Sequence, residues 1–198
     1  MKHIYKKGTS KKTILLLHGT GGSEHDLLPL GPMIEPEAGL LSVRGNVSEN
    51  GMPRFFKRLS EGVFDEEDLV ERTKELYQFL SDASVEYGFD RSEVIALGYS
   101  NGANIAASML YHFSDAFKSA ILHHPMVPLR NRSLQDLNGV AVFIGAGEND
   151  PICTPGESKE LAAALEQAGA SVKLHWERNG HQLTEPEVRA AANWYSKN

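Results

Sequence analysis

Short unbroken runs of apolar residues alternate along this chain with stretches in which apolar residues recur at helical spacing. The runs at 13–17, 40–43, 94–97, 119–123 and 140–144 are mostly apolar, and at 172–176 apolar residues alternate with Lys173 and His175. The apolar runs suit strands covered on both faces. Between them, Leu69, Val70, Leu76, Phe79, Leu80 and Ala83 mark one face of a long helix. Asp65 is expected to cap it and Gly88 to end it. Further helices are expected from a Ser23 cap to about Met33, over 101–113, over 156–167 with Gly169 beyond its end, and over 185–195. Strand and helix alternate, which predicts an α/β fold with a mainly parallel sheet and helices on both faces. Residues 44–62 break the alternation and read as irregular, with Asn50-Gly51 as a turn signal.

One junction organises the rest. The apolar run Val94-Ile95-Ala96-Leu97 leads into Gly98-Tyr99-Ser100-Asn101-Gly102, and an Ala-rich helical pattern follows at once. A chain of this length meets Gly-x-Ser-x-Gly by chance on the order of one time in ten. Its place between strand and helix therefore carries the argument, because that is the setting of a nucleophile elbow. There the glycines answer a steric demand, and the serine is forced into a strained conformation with its hydroxyl exposed above the sheet.

A serine hydroxyl needs a base, and the base an orienting acid. Asp150 follows the 140–144 strand in the Gly-rich stretch Gly145-Ala146-Gly147-Glu148-Asn149-Asp150-Pro151. Glu148 is its rival; Asp150 is preferred because Pro151 favours an extended backbone there, aiming it away from the next helix. Of eight histidines, His181 alone lies between the last strand and the last helix, after a flexible Gly180. It completes the chain order Ser, acid, His of α/β-hydrolases. His123 and His124 are adjacent on a strand and so point oppositely, which makes no metal site by itself. One is expected to line a pocket and the other to pack. Cys153, three residues past the proposed acid, reads as packed or incidental. His18-Gly19-Thr20-Gly21-Gly22 lacks the Gly-Lys-Ser/Thr of a phosphate-binding loop and the Gly-x-Gly-x-x-Gly of a dinucleotide loop. In a hydrolase it would lend a backbone N–H to an oxyanion hole, which assigns Thr20 and Asn101 as the donors.

Composition narrows the classes. With 198 residues, 41% hydrophobic and 23% charged, the chain reads as one globular domain over 1–198. A net charge of −6 and a pI near 5.8 argue against nucleic acid as a partner. The basic N-terminus has no apolar stretch of signal-peptide length behind it, so neither a leader nor membrane insertion is expected. A lone cysteine fits a reducing cytoplasm. Whether the chain pairs as a homodimer stays open.

With these residues placed, the chain resembles the phospholipase/carboxylesterase family of α/β-hydrolases, the small group that includes acyl-protein thioesterases. Among its branches it is most similar to the bacterial carboxylesterases of the methylhydroquinone-resistance kind. The matching segments run nearly the whole length: Leu-His-Gly-Thr-Gly-Gly (17–22), Arg-Gly-Asn-Val (44–47), Gly-Met-Pro-Arg-Phe-Phe (51–56), Gly-Tyr-Ser-Asn-Gly-Ala-Asn (98–104), His-His-Pro-Met (123–126) and Gly-His-Gln-Leu-Thr (180–184). The resemblance implies an α/β-hydrolase fold without a separate lid domain. It puts Ser100, Asp150 and His181 on the family's triad and Thr20 and Asn101 on its oxyanion donors. The N-terminus departs from larger hydrolases, being short for a full first hairpin.

The expected function is a serine carboxylesterase acting on small esters of short acyl chains, with no cofactor and no metal. Met52, Phe55, Phe56 and Met126 are the expected acyl-pocket residues. A thioesterase or lysophospholipase on the same site is the alternative within the class. A non-catalytic binding protein on this fold, or a flavodoxin-like nucleotide binder, are alternatives outside it.

Overall fold

Along β2 (Thr13–Leu17) successive side chains point opposite ways, and both ways lead into core. Ile14 and Leu16 join one apolar layer with Leu40, Ile95, Phe143, Val188 and Ala191. Leu15 and Leu17 join the larger layer with Leu69, Leu76, Ala106, Leu122 and Leu161. The sheet is thus buried on both faces, as the continuous apolar runs require.

The computed structural model describes all residues 1–198. In chain order the elements are β1 (His3–Lys6), β2, α1 (Gly31–Ile34), β3 (Gly39–Val43), β4 (Val47–Glu49), β5 (Met52–Arg54), β6 (Arg58–Ser60), β7 (Val63–Phe64), α2 (Glu66–Tyr87), β8 (Val94–Tyr99), α3 (Asn101–His112), β9 (Ser119–His123), β10 (Ala141–Gly147), α4 (Pro155–Gln167), β11 (Ser171–Glu177) and α5 (Glu185–Tyr195). Seven strands form one sheet in the order β1-β3-β2-β8-β9-β10-β11. All neighbours are parallel except β1, which runs antiparallel to β3. Helices α1 and α5 cover one face, and α2, α3 and α4 the other. No helix is long and apolar enough to cross a membrane.

Helix ends follow side-chain chemistry. Asp65 accepts from Asp68 N–H at the start of α2, and Gly88 ends that helix at φ 70°, a left-handed conformation that favours glycine. Thr154 and Thr184 cap α4 and α5, each with a proline in the first turn.

Two expectations change, and one strand is present that the sequence pattern did not mark. The helix expected from Ser23 reduces to α1, four residues long, after a run of turns. Pro29 falls inside the expected helix, where its ring would clash with the preceding turn, and Ser23 Oγ instead donates to Asp26 in a local turn. The short N-terminus still supplies a strand, β1, on the sheet edge. The irregular 44–62 stretch is two small hairpins, β4–β5 and β6–β7. The first turns through Asn50 (φ 51°) and Gly51 (φ 82°), the two left-handed residues of a tight hairpin turn.

Because β2, β8, β9, β10 and β11 are parallel neighbours, their carboxyl ends share one edge of the sheet. Thr20, Ser100, His124, Asp150 and His181 all follow those ends.

Candidate active site

The junction between β8 and α3 leaves no room for side chains. A Cβ on Gly98 would lie 2.7 Å from Ala103 N, and one on Gly102 would lie 2.0 Å from Leu17 O. Ser100 between them sits at φ 51°, ψ −112°, where a non-glycine residue is strained. Its amide donates to His123 O at 2.9 Å, which ties the elbow to β9.

The Ser100 hydroxyl meets His181. Nε2 of that ring lies 2.8 Å from Ser100 Oγ, and Nδ1 lies 2.8 Å from Asp150 Oδ2. Asp150 is buried, and its other oxygen, Oδ1, accepts from the amides of Ile152 (2.8 Å) and Cys153 (2.9 Å). Burial pushes the carboxyl up, but the Cys153 amide, His181, the Ile152 amide and His124 outweigh it and hold Asp150 below its usual value. An ionised Asp150 only accepts, so His181 carries its proton on Nδ1 and offers Nε2 as acceptor to the Ser100 hydroxyl. A hydroxyl, an imidazole in that tautomer and a buried carboxylate can together draw a proton off the serine. Tyr99 holds the main chain at His181 by donating its hydroxyl to the backbone His181 O at 2.8 Å. The rival acid, Glu148, instead pairs with Arg178 on the surface.

Thr20 and Asn101 line the same cavity as Ser100, and neither Thr20 N–H nor Asn101 N–H has a partner within the chain. Asn101 N–H opens α3, where backbone donors are free and the helix dipole favours negative charge. The loop bearing Thr20 is fixed from two sides. Buried His18 accepts Gly45 N–H on Nε2 at 3.0 Å and donates from Nδ1 to Gly19 O at 2.6 Å. Arg54, also buried, donates from Nη1 to Thr20 Oγ1 at 2.6 Å.

A cavity of about 210 Å³ opens beside Ser100, with Phe64, Met126 and Ile152 among its apolar lining and Asn104, Arg54, Arg58 and Glu61 among its polar lining. A larger one of about 1030 Å³ lies between α5 and the turns before α1 and shares only Thr20 and Tyr99 with it. Met126 is among the residues that line the small cavity. Phe55 and Phe56 are not: both rings are fully buried in the larger core layer and reach neither cavity. The physical reason is the hairpin, which turns the loop inward, with Phe55 N–H anchored on Asn101 Oδ1 at 2.7 Å and Phe56 edge-on to Phe64. Met52 is 39% exposed and packs over Gly21, also outside the small cavity. Phe55→Ala and Phe56→Ala are each expected to cost about 3–5 kcal/mol of stability. Thermal melts should show it, while the acyl-chain preference of whatever protein stays folded remains that of the wild type.

Besides cavity-lining residues such as Phe64 and Ile152, three polar side chains that hold parts of the site were not singled out from sequence. Tyr99 and Arg54 are two. The third, Glu187, is fully buried on α5 and touches both members of the histidine pair. A signal for it existed: it lies four residues before Ala191 on the stripe α5 buries. The expectation of one lining and one packing histidine is corrected, since His123 and His124 are both fully buried in polar contacts and line neither cavity. A ring nitrogen of His124, a ring nitrogen of His181 and an Asp150 oxygen lie within 4.8 Å of one another, close enough for a metal ion. Yet both Nδ1 atoms are engaged as donors to Asp150 Oδ2, which fits a hydrogen-bonded cluster better than a ligand set. Cys153 is buried, its thiol directed to His124 O at 3.1 Å and pushed up by burial, which suits a packed rather than a reactive sulfur.

Known proteins resemble this chain along nearly its whole length. The family model described as phospholipase/carboxylesterase matches residues 3–198. A Bacillus subtilis (strain 168) protein named as a hydrolase, MhqD, is 61% identical over 197 residues, covering 100% of this chain and 98% of that one. The crystal structure of a Bacillus cereus carboxylesterase superposes with a TM-score of 0.98 at 60% identity, covering 100% of this chain and 94% of that one. The structure of YahD with malic acid superposes with a TM-score of 0.92 at 33% identity, covering 99% and 98%. The chain therefore belongs to the phospholipase/carboxylesterase family of α/β-hydrolases.

Proposed function

We propose that this protein is a serine carboxylesterase for small esters of short acyl chains, using Ser100, His181 and Asp150 through an acyl-enzyme. The observation that carries this reading is the unbroken line of contacts Ser100–His181–Asp150, 2.8 Å at each step, at a strained elbow facing a cavity. Family membership supports the reaction type.

In this reading the Ser100 hydroxyl attacks the ester carbonyl while His181 Nε2 takes its proton. Asp150 fixes the ring's tautomer and balances the imidazolium that forms. The carbonyl electrons collect on an oxyanion that the N–H groups of Thr20 and Asn101, which have no partner within the chain, would receive. Collapse of the tetrahedral adduct breaks the bond to the alcohol oxygen, which receives the proton from His181. Water then attacks the acyl-serine by the same path and releases the carboxylic acid. The acyl group occupies the small cavity. At about 210 Å³ that space is below the roughly 300–1,000 Å³ of pockets that hold drug-sized ligands, which supports a short chain. The neighbouring groove past Thr20 and Tyr99 leaves room for a bulkier alcohol.

Two measurements test this. A fluorophosphonate probe should label the wild type at Ser100, since it reacts with an activated serine. A series of p-nitrophenyl esters should then peak at short acyl chains. Each methylene adds about 0.8 kcal/mol only while it can still be buried. Met126→Ala, which deepens the cavity, should move the peak to longer chains. An unlabelled protein, or a rate that climbs steadily with chain length, would sink the respective half of the reading.

A further inference from the structure

Behind the proposed triad lies a second buried set of ionisable groups that the reaction does not use. Asp150 Oδ2 accepts not only from His181 but also from His124 Nδ1 at 2.9 Å. The opposite nitrogen of that ring, Nε2, lies 3.0 Å from Glu187 Oε2, and Glu187 Oε1 lies 2.5 Å from His123 Nδ1. His123, His124 and Glu187 are all fully buried. The arrangement is built in detail. His124 is held at φ 52°, a left-handed conformation uncommon for such a residue. Gly145 leaves the space for the carboxylate, since a Cβ there would lie 2.0 Å from Glu187 Oε1.

Hydrogen-bond bookkeeping then decides the charges. Ionised carboxylates only accept, so a ring between two of them must carry a proton on each nitrogen. His123 needs only its Nδ1 proton, because its Nε2 has no partner. We propose that His124 is a positioning residue, an imidazolium clamped between Asp150 and Glu187, which limits the negative charge that Asp150 presents to His181. The proposal rests on the triad reading above and adds to it a group that sets how readily His181 gives up its proton. Everything charged or titratable around His124 is accounted for: Asp150 and Glu187 on its two nitrogens, the His181 ring at 5.2 Å between centroids, Tyr99 at 6.1 Å, His123 beside it in sequence, and the Cys153 thiol on its carbonyl. Burial acts against a charged His124, but Glu187 and then Asp150 outweigh it and raise its value. Burial likewise acts to raise Glu187, and the two histidines bring it down to about 2.

Glu187→Gln is the sharpest variant, because every hydrogen bond survives it. The amide oxygen accepts from His123 Nδ1–H, and the amide nitrogen donates to His124 Nε2, which must then be unprotonated. His181 loses a near positive charge and a negative charge on the far side of that ring. Its protonated form gains on balance. The acid limb of the kcat/KM–pH profile should therefore move to higher pH by roughly one unit, as expected for charges about 5 Å apart in a protein. A folded variant with an unmoved acid limb would overturn the proposal. Ring ¹⁵N spectroscopy reads the same point without turnover, so it stands even if the protein proves not to be an esterase. His124 should show two protonated nitrogens in the wild type at pH 7 and one in Glu187→Gln. A wild-type His124 with one bare nitrogen, the proton residing on Glu187 instead, would equally overturn it.

Discussion

Ser100→Ala and His181→Ala are each expected to lower kcat by about 10⁴–10⁶, with the double variant hardly worse than either single. The geometry explains the lack of multiplication. His181 Nε2 has one useful task, receiving the Ser100 proton across 2.8 Å, and without the hydroxyl that task vanishes. The residual rate would come from the Thr20 and Asn101 N–H groups acting on an ester attacked by water. Neither replacement should disturb folding much, because Ala keeps the same backbone at position 100 and the His181 ring is only partly buried. Steady-state kinetics with a short p-nitrophenyl ester, alongside melting curves, checks both halves. Losses that multiply would mean that the two side chains act independently and that His181 is not the base.

Asp150→Asn should lower kcat by roughly 10⁴ through the wrong imidazole tautomer, and here a fall in stability is also expected. Asp150 accepts four hydrogen bonds: two amides on Oδ1 and two histidine nitrogens on Oδ2. An asparagine has one acceptor oxygen. Turned one way, its NH₂ faces the two backbone N–H groups in a buried site; turned the other way, it meets the two rings, which must give up their Nδ1 protons, and that is the tautomer in which His181 cannot serve Ser100. Glu148→Gln, a surface change at the rival acid, should leave both rate and melting temperature near wild type. The pH dependence follows the same residue. Asp150 is held below its ordinary value, so the stability it contributes is present above the unfolded-state pKa and is lost as pH falls through the lower folded value. Glu187, brought from 4.5 down to about 2, loses its contribution over the same acid range. Melting temperature measured from pH 6 downward should fall from about pH 4.5 in the wild type. It should fall less in Asp150→Asn, which has already lost one of the two groups.

Most of the parallel strands were legible because each is a nearly unbroken apolar run, which is what burial on both faces demands, whereas the half-exposed edge strand β11 alternates apolar and polar residues. The elbow was legible because its glycines are sterically compelled, and His181 because only one histidine lies between the last strand and the last helix. Less legible was anything fixed by partners distant in sequence. β1 is a strand only because β3 offers it an edge, and His-Ile-Tyr-Lys carries no periodicity of its own. Phe55 and Phe56 looked like pocket walls because apolar residues in a loop next to a site invite that reading. A hydrogen bond to Asn101, 46 residues away, instead turns the segment into the core. Glu187 was hidden for a related reason: a glutamate in the first turn of a helix has an ordinary explanation in the helix dipole. Its burial between two histidines of β9 and the following turn is a matter of tertiary register.

The backbone at Ser100 has one further consequence. A residue held at φ 51°, ψ −112° stores about 1–3 kcal/mol, in a molecule whose whole margin over unfolding is roughly 5–15 kcal/mol. Glycine would relieve that tension at the cost of the hydroxyl. Replacement by glycine at this position therefore runs downhill in energy as it runs downhill in chemistry. On the proposed reading, a lineage that stopped needing the reaction would shed the serine for a sturdier fold, and a serine kept there marks a chemistry still under selection.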